Sequence, residues 1–324
     1  MYLQMLRIFI AATLAFLQAP AFAQADGYPT RPVRLVLPFA PGGGTDVMAR
    51  ALNTKLQEVL KQSVIVDNRP GAGGIIATDI VAKAPGDGYT VLFTVSSHSI
   101  NQALYAKLPF DTTRDLRGVT LIALLPQILA AHPSVPANNI QEFLELARKD
   151  AGYRNYGTGG VGSPGHFAGA ILESMAKIQL THVPYKGAGP AIADTIGNQV
   201  PYVLGTLAAA VPHVKSGKLK AIALTSKERS PLLPNVPTIA EGGFQGYDAD
   251  TWVGTFVPRS TPDAVVSFLH QATLEALKDA SVRERIDVNS GRIVGAGPQE
   301  LDAKVQAEIA EFSKIVRERG IRAE

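Results

Sequence analysis

The sequence predicts an α/β protein of two lobes, each a mostly parallel sheet flanked by helices. Short apolar strands alternate with amphipathic helices along the chain, which argues for doubly wound parallel sheets. Glycine-rich loops fall between strand and helix, as at the carboxyl edge of such sheets. The 324 residues suit two domains of about 100 to 150 residues better than one.

Taken from the amino terminus, Arg7 precedes an apolar run over residues 8–17, and Ala21-Phe22-Ala23 has the small-x-small pattern of a signal-peptidase site. Residues 1–23 are therefore expected to be a signal peptide, cleaved near Ala23 to release a periplasmic product. The run is shorter than the roughly 20 residues a membrane span needs. Residues 33–39 then read as a strand, 40–46 as a glycine loop, and 47–60 as a helix with Val47, Met48, Ala51, Leu52, Leu56, Val59 and Leu60 on one stripe. The unit repeats as strand 63–66, loop 68–74 and a helix through Lys83. A third strand, 89–94, runs into the polar loop 95–98. The apolar stretch 121–131 can cross between lobes. A second series follows: helix 141–149, strand 154–156, loop 157–166, and further βα units around residues 182–185 and 220–225. Turn chemistry without periodicity fills 230–246, which places the return crossing just after it. Two terminal helices are expected to complete the first lobe; in the last, Leu301, Val305, Ile309, Phe312 and Val316 keep the 3.6 period behind Pro298. The expected division is residues 24–122 with 247–324 as domain 1 and 123–246 as domain 2.

Composition narrows the function. The chain has no cysteine, so a disulfide framework, a lipid-anchored cysteine and a thiolate metal site are all excluded. The formal charge of +3 comes from scattered cations, which gives no nucleic-acid footprint. Six histidines stand singly, without metal-ligand spacing, and no metal is expected.

The loops at 42–46, 71–74 and 157–163 carry the chemistry. Glycine lets backbone N–H groups approach an anion, and the helix N-terminus behind adds partial positive charge of about 0.3 to 1 kcal/mol. One such terminus from each lobe can grip a carboxylate; the alternative is that the glycines only make tight turns. Gly157-Thr158-Gly159-Gly160-Val161-Gly162 satisfies G-x-G-x-x-G, but no acid stands about 20 residues on, where Gln179-Leu180-Thr181-His182 lies. No dinucleotide, and no cofactor of any kind, is expected. Ser163 lacks the first glycine of a nucleophile elbow. With His166 it leaves a periplasmic serine-type hydrolase as the competing reading. Asp46 can bond a ligand donor or cap the following helix. Lys186 can face an anion or solvent. Phe39 can cover a ligand's carbon skeleton or end a core strand, and Trp252 reads as core or hinge packing.

In combination these segments resemble the Bug family, the extracytoplasmic solute receptors of tripartite tricarboxylate transporters. The resemblance rests on Pro38-Phe39-Ala40-Pro41-Gly42-Gly43-Gly44-Thr45-Asp46, on Asn68-Arg69-Pro70-Gly71-Ala72-Gly73-Gly74, on Asp87-Gly88-Tyr89-Thr90 and on His182-Val183-Pro184-Tyr185-Lys186-Gly187. It runs over the whole mature chain. It implies a type II-like periplasmic-binding-protein fold, with lobes joined by crossing hinge strands and closing on a small carboxylate held by loop amides. By position it carries over Phe39, Gly42, Gly43, Gly44, Thr45 and Asp46 from one lobe. From the other it carries Thr158, Gly159, Gly160, Gly162, Ser163 and His166. Ser96 and Ser97 stand at the same cleft edge, with Lys186 and Thr206 opposite. It further implies no catalysis, a membrane permease or a sensor kinase as the partner of the closed form, and a monomer is expected. Gly205 and Thr206 depart from the bulky aromatic and small or acidic residue that relatives often carry. That leaves di- and tricarboxylates, acidic amino acids and aromatic acids all open as ligands.

Overall fold

The computed structural model describes residues 27–42 and 44–322. The expected leader, its cleavage point and Gly43 lie outside the described residues.

The first lobe opens with β1 (Val33–Leu37), α1 (Gly44–Leu60), β2 (Val64–Asn68), α2 (Ile75–Ala82), β3 (Thr90–Val95), α3 (Ser97–Leu104) and β4 (Leu116–Leu125). The chain crosses at Pro126 into the second lobe: β5 (Gln127–Ala131), α4 (Ile140–Lys149), β6 (Asn155–Thr158), α5 (Pro164–Ala176), β7 (Thr181–Pro184), α6 (Ala188–Ile196), β8 (Tyr202–Thr206), α7 (Leu207–Lys215) and β9 (Lys220–Leu224). It returns through residues 225–250 to β10 (Thr251–Pro258), α8 (Asp263–Ala276), α9 (Ala280–Val288), β11 (Arg292–Ala296) and α10 (Pro298–Arg319). The strands form one six-stranded sheet, β11-β4-β10-β3-β1-β2, and one five-stranded sheet, β7-β6-β8-β5-β9.

Both sheets are mixed. β1 pairs parallel with β2 and β3, and β6 pairs parallel with β7 and β8. The strands next to the crossings run antiparallel: β10 against β3 and β4, and β5 against β8 and β9. The reason is geometric. β10 and β5 each enter a sheet from the other lobe, at the edge where the parallel strands end, and must run against them. The expectation of mostly parallel sheets therefore holds for β1 to β3 and β6 to β8 only.

Burial explains the strand composition. In β1, Val33, Leu35, Val36 and Leu37 are all buried, because helices cover both faces and the usual alternation is lost. All eight residues of β10 are buried too. Trp252 is core, fully buried, and its Nε1 donates to Glu308 Oε2 at 2.7 Å.

Three features differ from expectation. Residues 97–104 form α3 rather than loop; its apolar residues are only Ile100, Ala103 and Leu104, while His98, Ser99 and Asn101 are buried although polar, so no helical stripe marks it. α9 and β11 stand between the two foreseen terminal helices; α9 buries only Val282 and Ile286, too little to show a period. α10 does not belong to the first lobe alone. Its Leu301 and Val305 pack with Val36, Leu92 and Trp252 of the first lobe, whereas Phe312 and Ile315 pack with Tyr156, Phe167 and Leu172 of the second. Arg319 fastens its end there, 3.3 Å from Glu173. α10 is thus a helical strap across both lobes.

The crossings themselves are bonded together. Gln127 N donates to Thr225 Oγ1 at 2.9 Å, Thr225 N to Gln127 O at 3.1 Å, and Gln127 Nε2 to Thr251 Oγ1 at 2.9 Å. All three residues are buried, so these bonds are shielded from water and fix where the chain can bend.

Candidate ligand-binding site

The segment after β3 meets the loop after β6 across the gap between the lobes, where Ser96 and Ile100 share a cavity wall with Pro164. The two are in contact on one side: a Cβ added at Gly162 would lie 3.1 Å from Leu104 Cδ2 and 3.9 Å from Ile100 Cγ2 of α3.

In the first loop, α1 begins at Gly44, three residues before the apolar stripe suggests. Asp46 is therefore inside the first turn, and it reaches back. Its Oδ2 accepts from Gly42 N at 2.9 Å and Arg50 Nε at 2.8 Å, and its Oδ1 accepts from Asn68 Nδ2 at 2.8 Å. The same Asn68 amide donates to Phe39 O at 2.9 Å. Burial alone would raise the Asp46 carboxyl, but the bonds from Arg50, Gly42 and Asn68 outweigh it and bring the pKa to about 2. Asp46 and the Gly42 amide are thus bonded within the loop and shape it. Phe39 packs half-buried on the first-lobe core. The first-turn amides of Gly44 and Thr45 remain beyond the reach of any helical carbonyl.

The second glycine loop is structural. Gly74 has φ +99°, and a Cβ there would come 3.2 Å from Pro38 Cβ; Asn101 Nδ2 bonds Gly73 O at 2.9 Å. These glycines permit a close approach of backbone to protein, with no room for a ligand. Beside them, Ser96 is buried with its residue at the wall of an interlobe cavity, while Ser97 is half-buried at the start of α3.

In the third loop, most of the expected contacts are used internally. Gly160 N donates to Thr158 Oγ1 at 3.2 Å, Gly162 N to His166 Nδ1 at 3.3 Å and Ser163 N to Gly160 O at 3.1 Å. Ser163 Oγ caps α5 by accepting from His166 N at 3.3 Å and donates to Thr158 Oγ1 at 3.2 Å. Thr158 is fully buried and His166 nearly so. Thr158, Gly160, Gly162, Ser163 and His166 therefore hold the loop through bonds to one another. Among the described residues, the amides of Gly159 and Val161 have no partner.

A fourth element escaped the sequence reading. α6 starts behind Gly187, which has φ +114° and no side-chain cap. A Cβ at Gly187 or Gly189 would meet nothing within 4 Å, and one at Gly159 would lie 3.5 Å from Ala188 N. The open α6 N-terminus thus adjoins the free Gly159 amide. The signal is present in Lys186-Gly187-Ala188-Gly189-Pro190, glycines followed by a proline suited to a first helical turn. Lys186 is exposed, with no ion pair among the described residues. Thr206 is exposed at the start of α7, also without a cap bond, and the Gly205 position has room for a Cβ at 3.7 Å from Val203 Cγ2.

Between α3, α5, α10 and the return crossing lies a cavity of about 260 Å³, reached by Ser96, Ile100 and Pro164 and walled by Asp248, Asp250, Glu308 and Glu311 together with Lys227 and Lys304, which pair with Asp248 and Glu308. Burial, then the charge of Asp248, raises Asp250 to about 7.

Comparison with known proteins decides the family. The profile of the tripartite tricarboxylate transporter family receptor, TctC, matches residues 48–321. The chain belongs to that family. It is 34% identical to protein BugT of Bordetella pertussis over 320 residues, 98% of this chain and 97% of the relative. Among solved structures it resembles MatC of Rhodopseudomonas palustris with bound malate, at 33% identity and TM-score 0.76, covering 89% of this chain and 100% of that one. It also resembles a second R. palustris protein, solved with adipate, at 34% identity and TM-score 0.78, covering 91% and 99%. This is a family of periplasmic solute-binding receptors, not of enzymes. Accordingly, Ser163 Oγ meets the backbone amide of His166 and not its imidazole, so the pair has no base-to-nucleophile bond.

Proposed function

We propose that this receptor captures a small carboxylate in the periplasm and hands it to a membrane permease. The observation that carries the reading is the set of backbone donors without a partner among the described residues: Thr45 in the first turn of α1 in one lobe, Gly159, Val161 and the α6 N-terminus in the other. An anion placed between them gains hydrogen bonds from both lobes and two helix termini. Closure then follows from affinity, because only the closed arrangement offers both sets at once. Malate and adipate in the two relatives favour a dicarboxylate. Lys186, exposed beside α6, supplies a positive charge for its second carboxyl group, and Thr206 a hydroxyl. Ser96 and Ser97 complete the first-lobe side. The leader at residues 1–23 is the proposed route of export, and the domain boundaries expected at 122/123 and 246/247 are placed at the crossings instead, after Leu125 of β4 and before Thr251 of β10.

A thermal-shift screen of the mature protein against mono-, di- and tricarboxylates, acidic amino acids, aromatic acids and sugars tests this. A binding carboxylate at 100 times its Kd is expected to stabilise by about 2.7 kcal/mol, with the compound recovered chemically unchanged. A response to sugars alone contradicts the proposal.

A further inference from the structure

We propose that His166 and His182 form a stacked brace that positions the 158–163 loop so that its Gly159 and Val161 amides stay open to ligand. The proposal rests on the reading that this loop takes the ligand. His182, on β7, faces back to β6, where its Nε2 lies 2.6 Å from Thr158 Oγ1. His166, in the first turn of α5, lies flat on it, ring centroids 3.8 Å apart and planes 10° from parallel.

Counting hydrogen-bond capacity assigns the protons. A threonine hydroxyl accepts two bonds and donates one. Thr158 Oγ1 accepts from Gly160 N and from Ser163 Oγ, each at 3.2 Å, so its own proton goes to His182 Nε2 at 2.6 Å, the nearer of its two acceptors, Gly160 O lying at 3.3 Å. His182 is then the neutral Nδ1–H tautomer. His166 Nδ1 accepts from Gly162 N, which makes it the neutral Nε2–H tautomer. Every loop amide not bonded within the loop or left open thus ends on Thr158, held by His182, or on His166. A proton added to either accepting nitrogen replaces an acceptor with a donor and breaks the brace.

The surroundings keep both rings neutral. Burial lowers His166 to about 4; burial, then the neighbouring His166, lowers His182 to about 3. Tyr156 of β6 packs on His182 at 5.5 Å between centroids. The rings also line a groove of about 750 Å³ with Glu173 and Lys177 beside α5, and Glu318 and Arg319 of α10. Glu173 is the only acid on that wall facing the pair from its own helix, and Arg319 already holds it.

The test uses paired variants of the mature protein. His166→Asn and His182→Gln keep an acceptor near the lost nitrogen; His166→Leu and His182→Leu remove it. Hydrogen exchange over residues 157–167 is read without ligand, and affinity is read by calorimetry with malate and adipate as probes. We expect the leucine variants to exchange faster in this segment and to bind about tenfold more weakly, the loss of one net hydrogen bond, with the amide variants within about threefold of wild type by the same scale. Where a leucine variant does not fold, wild-type exchange corrected for intrinsic pH dependence carries the test, and protection must fall between pH 6 and 4. Leucine variants with wild-type protection overturn the brace, as do amide variants as damaged as the leucine ones or protection that is flat with pH. If neither probe binds the wild type, the functional reading is at fault for these compounds, and exchange alone judges the brace.

Discussion

Replacing Asp46 with alanine should cost both stability and binding, by an amount the structure sets. Its side chain is 2% exposed while that of Arg50 is 49% exposed, so the ion pair with Arg50 is screened and contributes below about 1 kcal/mol. The larger loss is in the bonds from Gly42 and Asn68. A bond to a charged acceptor contributes about 1.5 to 3 kcal/mol, so the two together put Asp46→Ala at about 3 to 5 kcal/mol. Denaturant unfolding at pH 7 measures this directly. Because the folded pKa lies below the usual carboxylate value, the contribution is fully present above about pH 4 and is lost as pH falls through about 2. Asp46→Asn separates the anchor from a ligand contact. Were Asp46 to face a bound carboxylate, removing its charge would strengthen binding; as the anchor of the loop, its loss should weaken binding, since a neutral amide serves Gly42, Asn68 and Arg50 poorly. Asp46→Ala with wild-type stability, or Asp46→Asn with tighter binding, would refute this reasoning.

Two further outcomes follow from buried acids. Asp250 and Glu173 are raised mainly by burial to about 7, so they keep protons in the folded state that the unfolded chain releases, and stability falls as pH rises toward and through 7. Below 6.5, the ordinary histidine value, the buried His98 and His166 and the half-buried His182, all held neutral, act in the opposite sense, so the decline should be clearest between about pH 6.5 and 8. Denaturant midpoints across that range should fall in the wild type and less in Asp250→Asn; equal slopes contradict the assignment. Arg319→Ala removes the cation beside Glu173 and should cost about 1 to 3 kcal/mol at pH 8, but less at pH 5.5, where Glu173 takes a proton. A pH-independent loss would mean that Arg319 acts through packing alone.

Much of the architecture was legible because it is local. The first βα unit shows its strand, glycine loop and helix within 28 residues of sequence, from 33 to 60, and the helical period of α10 is plain in Leu301, Val305 and Phe312. What a single sequence does not carry is the partner across space. Nothing in α10 states that Leu301 meets one lobe and Phe312 the other. Thr158 and His182 stand 24 residues apart and touch only because β6 and β7 are neighbours in register. Several of the polar groups expected to face a ligand are instead bonded inside their own loops. Glycine, serine and threonine are read as ligand donors, yet in a tight loop the same groups first satisfy one another. α3 was hidden for a related reason, since it buries polar residues that periodicity counts as exposed.

The most direct test of the account is a crystal structure of the mature protein with adipate or malate. It should show carboxylate oxygens within about 3 Å of the Thr45 and Gly159 amides, the lobes closed on them and the Asp46 carboxylate still on Gly42. A carboxylate held by side chains in the cavity beneath α10, with the loop amides facing water, would contradict it.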